Sequence, residues 1–351
     1  MDSTERITTY AEAIREATVQ EMARDPAVRV LGICVDDHRG FYKTLVGLAD
    51  EFGAERVWGT PLSEDALTGY AIGSALAGGR PILAHERFEY TLLGANQLIN
   101  IAAKARYMFG GSVSLPMVVR AVIGRSWGQG AQHSQGLHSL YMHIPGLKVV
   151  APSTPYDAKG CLATAIRDNN PVIFIEQRML HFLKGHVPEE SYTVPFGKAR
   201  VLRTGTDLTL VGISYMVAEC LRAAHLLEAV GVSAEVIDPV SLSPLDMDTI
   251  ASSVVKTKRL LAVDTAWTFS GATAEIVSQT IERLQGHATV RVARMGFAPV
   301  PCPPTKSLEN LFYPNPKTIA IQAEGMVRGM GSGWVPESDP SPELVEFRGP
   351  F

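Results

Sequence analysis

The sequence has few cysteines, no basic stripe and no apolar run long enough to cross a membrane as a helix. Its four cysteines (Cys34, Cys161, Cys220 and Cys302) lie far apart without CxxC spacing. We therefore expect neither a disulfide framework nor a zinc site, and a reducing compartment fits them better. A net charge of −4 without clustered Lys and Arg argues against a nucleic-acid partner.

Motifs of several common sites are also missing. The segment from Gly124 to Gly130 is glycine-rich but lacks the GxGxxG order of a nucleotide loop. No GxSxG elbow of a hydrolase occurs. The chain begins Met1-Asp2-Ser3-Thr4-Glu5, without a cationic region and an apolar run, so we expect a cytoplasmic protein.

Apolar strands alternate with helical patterns along most of the 351 residues. This alternation predicts an α/β fold of two domains, each a mostly parallel sheet covered by helices. We place the first domain at 1–180, a linker rich in charge and proline at 181–197, the second domain at 198–330 and an irregular tail at 331–351.

A strand exit, Thr60-Pro61-Leu62-Ser63-Glu64, brings one carboxylate to the start of a helix predicted over Glu64–Ala77, with Ser63 as its N-cap. Small residues on this helix allow another backbone or a flat ligand to come close. Glu64 is either an ordinary first-turn acid stabilised by the helix N-terminus, or a group that shares a proton with a heterocycle nitrogen.

A second polar segment, Gly130-Ala131-Gln132-His133-Ser134-Gln135, supplies an imidazole that titrates near neutral pH. A lone loop histidine more often faces solvent. His133, His138 and His143 recur every five residues, a spacing that does not keep ligands on one helical face, so we reject a metal site there. Glu64 and His133 together resemble half of an active site, because no phosphate loop or carboxylate cluster accompanies them.

Ordered segments over roughly residues 6 to 328 resemble the β subunit of the E1 component of 2-oxo acid dehydrogenases (pyruvate, branched-chain and acetoin types), which use thiamine diphosphate. The segments that carry the resemblance are Thr60–Glu64, Ala102–Met108, Gly130–Gln135, Pro145–Pro152, Asp157–Gly160, Ala165–Val172, Ile237–Val240 and Ser243–Asp246.

The resemblance implies a pyrimidine-binding domain followed by a transketolase C-terminal-like domain. Glu64 would hydrogen-bond N1′ of the cofactor aminopyrimidine, and His133 would face the thiazolium side, binding substrate or assisting acyl transfer. Leu62, Glu86 and Tyr90 would also line the cofactor site. A potassium site would be formed by the backbone carbonyls of Met117, Ala165, Ile166 and Asp168, with Asn170; local rules alone make 168–171 a turn.

It also implies a partner. In this family an α subunit holds the diphosphate and Mg²⁺, active sites lie at α/β interfaces of an α2β2 tetramer, and the acyl group of a 2-oxo acid passes to a lipoyl carrier. This chain alone would then be inactive, and a lipoyl acyltransferase would be a further partner.

Two segments depart from the family pattern. His85-Glu86-Arg87-Phe88-Glu89-Tyr90 puts charge beside the expected pyrimidine pocket, and Asp264–Gly271 replaces a glycine-rich turn at a surface that commonly helps to dock the acyltransferase core. The charged segment motivates an alternative, a split transketolase-like or acyloin-forming enzyme that acts without lipoamide. A third hypothesis is a non-catalytic scaffold subunit that has kept the fold.

Overall fold

The computed structural model describes residues 6–125, 128–286, 288–329 and 333–337. The described residues form two compact units. The first contains 6–123 and 140–196, and the second contains 124–139 and the residues from 197 onward. Most of the predicted tail, 331–351, lies outside the described residues. In the part of the chain that the structure describes, no helix is long and apolar enough to cross a membrane.

The first unit is a parallel sheet with helices. Its strands are β1 Ile7–Thr9, β2 Val28–Gly32, β3 Val57–Gly59, β4 Arg80–His85, β5 Val118–Ile123, β6 Lys148–Val150, β7 Val172–Gln177 and β8 Lys184–His186. Its α-helices, with one that spans both units, are α1 Tyr10–Arg24, α2 Leu48–Phe52, α3 Glu64–Leu76, α4 Ala103–Met108, α5 His138–Met142 and α6 Pro155–Arg167.

Six of these strands form one sheet in the order β6-β7-β5-β4-β2-β3, all parallel. Every residue of β5 and of β7 is buried, as expected of strands covered by helices on both faces. Helix α1 begins at a capping box formed by Thr9 and Glu12, and α6 begins at Thr154 with Pro155 in its first turn. The two helices pack against each other.

The second unit is a smaller α/β sheet. Its strands are β9 Arg200–Arg203, β10 Leu208–Gly212, β11 Ala234–Asp238, β12 Ser241–Ser243, β13 Arg259–Val263 and β14 Arg291–Met295. Its helices are α7 Met216–Glu228, α8 Met247–Thr257, α9 Ala272–Leu284, α10 Lys306–Phe312 and α11 Pro316–Arg328. The sheet order is β14-β13-β10-β11-β9, parallel except for the antiparallel edge strand β9.

The predicted fold class is confirmed, since both units carry mostly parallel sheets with helices. Two features differ from the predicted boundaries. Residues 124–139 group with the second unit, although the sequence placed them in the first domain. Part of the predicted linker, Lys184–His186, forms a strand that pairs with Ile7–Thr9. Both features depend on contacts between residues that are distant in sequence, and local sequence patterns do not show such contacts.

Candidate active site

Glu64 is the first residue of α3, directly after the exit from β3. Ser63 holds the N-cap position but its side chain makes no capping hydrogen bond. The Glu64 carbonyl accepts a hydrogen bond from Thr68 Oγ1 at 2.6 Å, which fixes the first turn. The Glu64 side chain is only 7% exposed. Among the hydrogen bonds and ion pairs of the described residues, none uses its carboxylate.

Because Glu64 is mostly buried and its carboxylate has no partner among the described residues, this carboxylate is available to a ligand that supplies a donor. Thr60 lies four residues before Glu64 in sequence, and the buried hydroxyl of Thr60 also has no partner among the described residues. Leu62 is 75% exposed, so this apolar side chain is presented at the surface of the chain. The strand exit therefore offers one carboxylate, one hydroxyl and one apolar side chain to a ligand or a partner.

The charged segment after β4 lies near Glu64. Tyr90 is half-buried in a 3₁₀ helix, Phe88–Leu92. Burial raises the pKa of the Tyr90 hydroxyl, and the negative charges of Glu89, Glu86 and Glu64 raise it further, while Arg87 lowers it. Glu64 and Glu86 are therefore both close enough to Tyr90 to affect its pKa. The assignment of Glu86 and Tyr90 to the cofactor site requires this proximity.

His85 ends β4 and is buried, with Nε2 lacking a partner among the described residues. Burial lowers its pKa to about 4, so the imidazole is neutral at physiological pH. Burial also raises the pKa of the Glu86 carboxyl, whereas Arg87 and Arg178 act in the opposite direction. The sequence indicated a change of polarity here, and in the structure part of that change is an uncharged histidine.

His133 belongs to the second unit, in a loop held by a hydrogen bond from Gln135 Nε2 to the Gln132 carbonyl at 3.0 Å. The imidazole is half-buried. Gly136 lies so close to the Thr265 carbonyl that a Cβ would be 2.0 Å from that oxygen, so only glycine fits. The predicted loop Gly124–Gly136 contains no helix or strand in its described part; Ser126 and Trp127 lie outside the described residues.

The sequence did not predict the group that anchors this loop. His138 Nε2 lies 2.7 Å from the Asp264 carboxylate, and both side chains are fully buried. Asp264 directly follows β13, and the sequence identified it only as the first residue of the segment that replaces a glycine-rich turn. Sequence spacing indicated nothing about this pairing, because 126 residues separate the two partners.

The residues assigned to potassium converge in the first unit. The carbonyls of Ile166 and Asp168 accept hydrogen bonds from Arg80 Nη1 at 2.9 and 3.2 Å. The Met117 carbonyl accepts from the backbone N–H of Val172 at 3.0 Å, and the Ala165 carbonyl from that of Asp168 at 3.3 Å. Asn170 donates from Nδ2 to the Asp168 carboxylate, which also pairs with Lys148.

These carbonyl oxygens can accept more than they do here. A carbonyl oxygen has two lone pairs, and each of these four is the acceptor of one hydrogen bond named above. No group of three or more His, Cys, Asp or Glu side chains that could hold a metal ion occurs within the described ranges. The described residues therefore offer carbonyl oxygens, a ligand type that suits a monovalent cation, and no such side-chain cluster for Mg²⁺.

Comparison with known proteins gives two family matches. Residues 7–182 match the pyrimidine-binding domain of transketolase, and residues 197–319 match the C-terminal domain of transketolase. The chain is 43% identical over 329 residues to the β subunit of acetoin:2,6-dichlorophenolindophenol oxidoreductase from Cupriavidus necator, covering 90% of this chain and 96% of that protein.

Two further comparisons agree. The chain is 40% identical over 311 residues to the β subunit of the pyruvate dehydrogenase E1 component from Rickettsia felis, covering 89% of this chain and 95% of that one. A solved structure of a split-gene transketolase, an inactive β4 tetramer, matches with a TM-score of 0.68 over 91% of this chain and 97% of that chain. At 22% identity, that match shows the fold alone.

Proposed function

Since the chain belongs to the E1 β-subunit family, which joins a transketolase pyrimidine-binding domain to a transketolase C-terminal domain, we propose that it is the β subunit of a thiamine-diphosphate enzyme. The enzyme decarboxylates a 2-oxo acid and transfers the acyl group to a lipoyl carrier. The observation that carries this proposal is Glu64, a mostly buried residue at the start of α3 whose carboxylate has no partner among the described residues.

The first unit fits the pyrimidine part of the cofactor. Glu64 can hold a proton between its carboxylate and N1′ of the aminopyrimidine, because no side chain of the described residues competes for that carboxylate. Tyr90, Glu86 and Leu62 form the wall around it. When bound, thiamine diphosphate supplies the carbanion chemistry, and this chain orients the pyrimidine and sets its protonation.

His133 in the second unit is the candidate for the thiazolium side. Glycine at 136 and the buried His138–Asp264 pair hold the loop that carries it. An imidazole can both donate and accept a hydrogen bond, which suits substrate binding or acyl transfer.

A separate α-like subunit would hold the diphosphate and Mg²⁺, since the described residues contain no acidic or histidine cluster for a divalent ion. We propose an α2β2 assembly that completes the site, with a lipoyl acyltransferase as a further partner. The carbonyls of Met117, Ala165, Ile166 and Asp168, with Asn170, would bind K⁺ within this chain.

The test is Glu64→Gln in the chain co-produced with an α-like subunit. We expect 2-oxo acid decarboxylation to fall by about 100-fold or more, a typical loss for a positioned proton-transfer group, with the melting temperature nearly unchanged. Asp65→Asn is the matched control, because Asp65 is exposed and bonds only Gln97 in the described structure. Full turnover by Glu64→Gln would refute the proposal.

The alternative is a split transketolase-like or acyloin-forming enzyme with the same cofactor. The charged wall at Glu86 and Arg87 favours it, because such a wall suits a polar acceptor. Carboligation in the absence of a lipoyl domain would support this alternative. If calorimetry detects no binding of thiamine diphosphate even with the α-like subunit present, the chain is a scaffold.

A further inference from the structure

Two buried arginines flank one tyrosine ring in the first unit. The guanidinium carbon of Arg178 lies 4.0 Å from the centroid of the Tyr42 ring, and that of Arg87 lies 5.7 Å from it. Arg178 is 4% exposed and Arg87 is 5% exposed. Two cations in one buried place repel each other, and burial together with the charge of Arg87 lowers the pKa of Arg178.

Glu176, two residues before Arg178 in sequence, is not its ion-pair partner. Glu176 accepts from Arg120 Nε at 2.6 Å, and its other oxygen lies 3.3 Å from His181 Nε2, so its two oxygens are already engaged. Glu86 is half-buried; burial raises its pKa, whereas the charges of Arg87 and Arg178 lower it, so Glu86 partly offsets the two cations. No ion pair within the described ranges includes Arg178.

The Arg178 guanidinium also has unused donors. Its Nε and Nη1 are buried and have no acceptor among the described atoms. Burial lowers the pKa of Arg178 and a side-chain hydrogen bond with Tyr42 raises it, but Nε and Nη1 still lack an acceptor among the described atoms. A buried donor without an acceptor is unfavourable, and such groups in native proteins indicate a missing ligand, ion or water.

The position of these residues points to a substrate. Arg178 directly follows β7 and Arg87 follows β4 by two residues. Both therefore lie at the carboxyl ends of parallel strands, where open α/β sheets bind ligands. Glu64 follows β3 at the same edge, and Arg87 and Glu64 both act on Tyr90. The arginines thus adjoin the proposed cofactor site.

Resting on the proposed function, we propose that Arg178, with Arg87, forms a subsite for a second anionic group of the substrate, a carboxylate or a phosphate remote from the reacting carbonyl. A planar guanidinium presents two parallel donors to such an oxyanion. The Tyr42 ring orients Arg178 by stacking on it. Arg178 is therefore a specificity residue, and the charged segment at 85–90 becomes part of a site for anionic substrates.

The first experiment needs no turnover. Thermal unfolding of the full chain is measured in sodium phosphate and in sodium chloride at equal ionic strength. Because an anion that binds only the folded state stabilises it, we expect phosphate to raise the melting temperature by about 2–4 °C. Arg178→Gln should lose this rise, Arg178→Lys should keep part of it, and Arg29→Gln, a change at an exposed arginine of β2, should keep all of it.

The second experiment uses the complex with the α-like subunit and substrate pairs that differ by one anionic group. 2-Oxoglutarate against 2-oxopentanoate tests a carboxylate, and glycolaldehyde phosphate against glycolaldehyde as acceptors tests a phosphate. We expect one pair to show a preference in kcat/KM for its anionic member that falls about 100-fold in Arg178→Gln, with Arg178→Lys intermediate.

The two outcomes separate this inference from the proposed function. If 2-oxo acids are turned over but neither pair changes its ratio in Arg178→Gln or Arg178→Lys, the subsite is refuted and the proposed function stands. If phosphate stabilises the chain through Arg178 while Glu64→Gln keeps full turnover, the proposed function is refuted and the anion subsite stands. Equal melting temperatures of the unmodified chain in both salts would also contradict the subsite.

Discussion

The imidazole of His138 and the carboxylate of Asp264 face each other at 2.7 Å in a fully buried part of the second unit. The contact joins the end of the glycine-rich loop to the end of β13. Because His133 lies five residues before His138, this pair restrains the loop that carries a proposed functional side chain. Nδ1 of His138 and Oδ1 of Asp264 have no further partner among the described residues.

We predict that His138→Ala lowers the free energy of unfolding by about 3 kcal/mol, because it leaves Asp264 buried without its partner. His143→Ala is the matched control, since His143 is exposed just after α5 and should change stability by less than about 0.5 kcal/mol. Urea denaturation of both variants measures the difference. Equal stability of the two variants would show that the pair contributes nothing.

Sequence patterns predicted the alternation of strands and helices and the position of Glu64 at a helix start, because both depend on local periodicity. The pattern of residues over roughly 92–108 predicts one helix, where the structure has a π-helix at Gln97–Ala102 followed by α4. Periodicity indicates a helical segment, but it does not tell an α-helix from a π-helix, because packing decides which hydrogen bonds form. This segment is tightly packed, since a Cβ on Gly94 would lie 2.4 Å from Thr68 Oγ1.

Contacts between distant residues could not be predicted in this way. The Arg120–Glu176 pair and the Arg178–Tyr42 contact both join segments more than fifty residues apart. Local sequence patterns indicated Glu64 and His133, and the resemblance to a family implied their roles. Neither indicated Arg178, which belongs to a segment outside the matched motifs.

Arg120 and Glu176 form an ion pair at 2.6 Å in which both side chains are completely buried. Removing one partner leaves a buried charge, so we predict that Arg120→Met costs about 3–5 kcal/mol. The double variant Arg120→Met/Glu176→Leu should recover most of this loss, because it removes both charges. Breaking the exposed pair Arg283–Asp248 with Arg283→Met should cost less than about 1 kcal/mol. Urea denaturation compares the variants, and an additive double variant would contradict the prediction.

Potassium binding by the carbonyls around Asp168 predicts a melting temperature that is higher in KCl than in choline chloride at equal ionic strength, by a few degrees at saturating K⁺. Asn170→Ala removes one proposed oxygen ligand and should reduce this difference. Asn100→Ala is the control, since Asn100 is exposed and contacts Asn96. If the unmodified chain melts at the same temperature in both salts, the site does not bind K⁺.

The buried His85 predicts how stability depends on pH. Burial lowers its pKa in the folded chain to about 4, while the unfolded value is near 6.5. Between these values the unfolded chain takes up a proton that the folded chain does not, so stability falls as the pH falls through this window. The expected loss from His85 between pH 7 and pH 5 is roughly 2 kcal/mol.

The contributions of Glu176 and His181 to the pH dependence of stability can be distinguished from that of His85. Burial raises the pKa of Glu176, but Arg120 and His181 outweigh that effect and lower it to about 2, so the stability that it contributes is lost only below about pH 4.5. Burial lowers the pKa of His181 as well, which adds a loss in the same direction as His85. His85→Phe should therefore reduce the stability loss between pH 7 and pH 5 without abolishing it, whereas His143→Phe should leave it unchanged. Urea denaturation at several pH values measures this slope, and an identical slope in His85→Phe would mean that His85 does not titrate as a buried base.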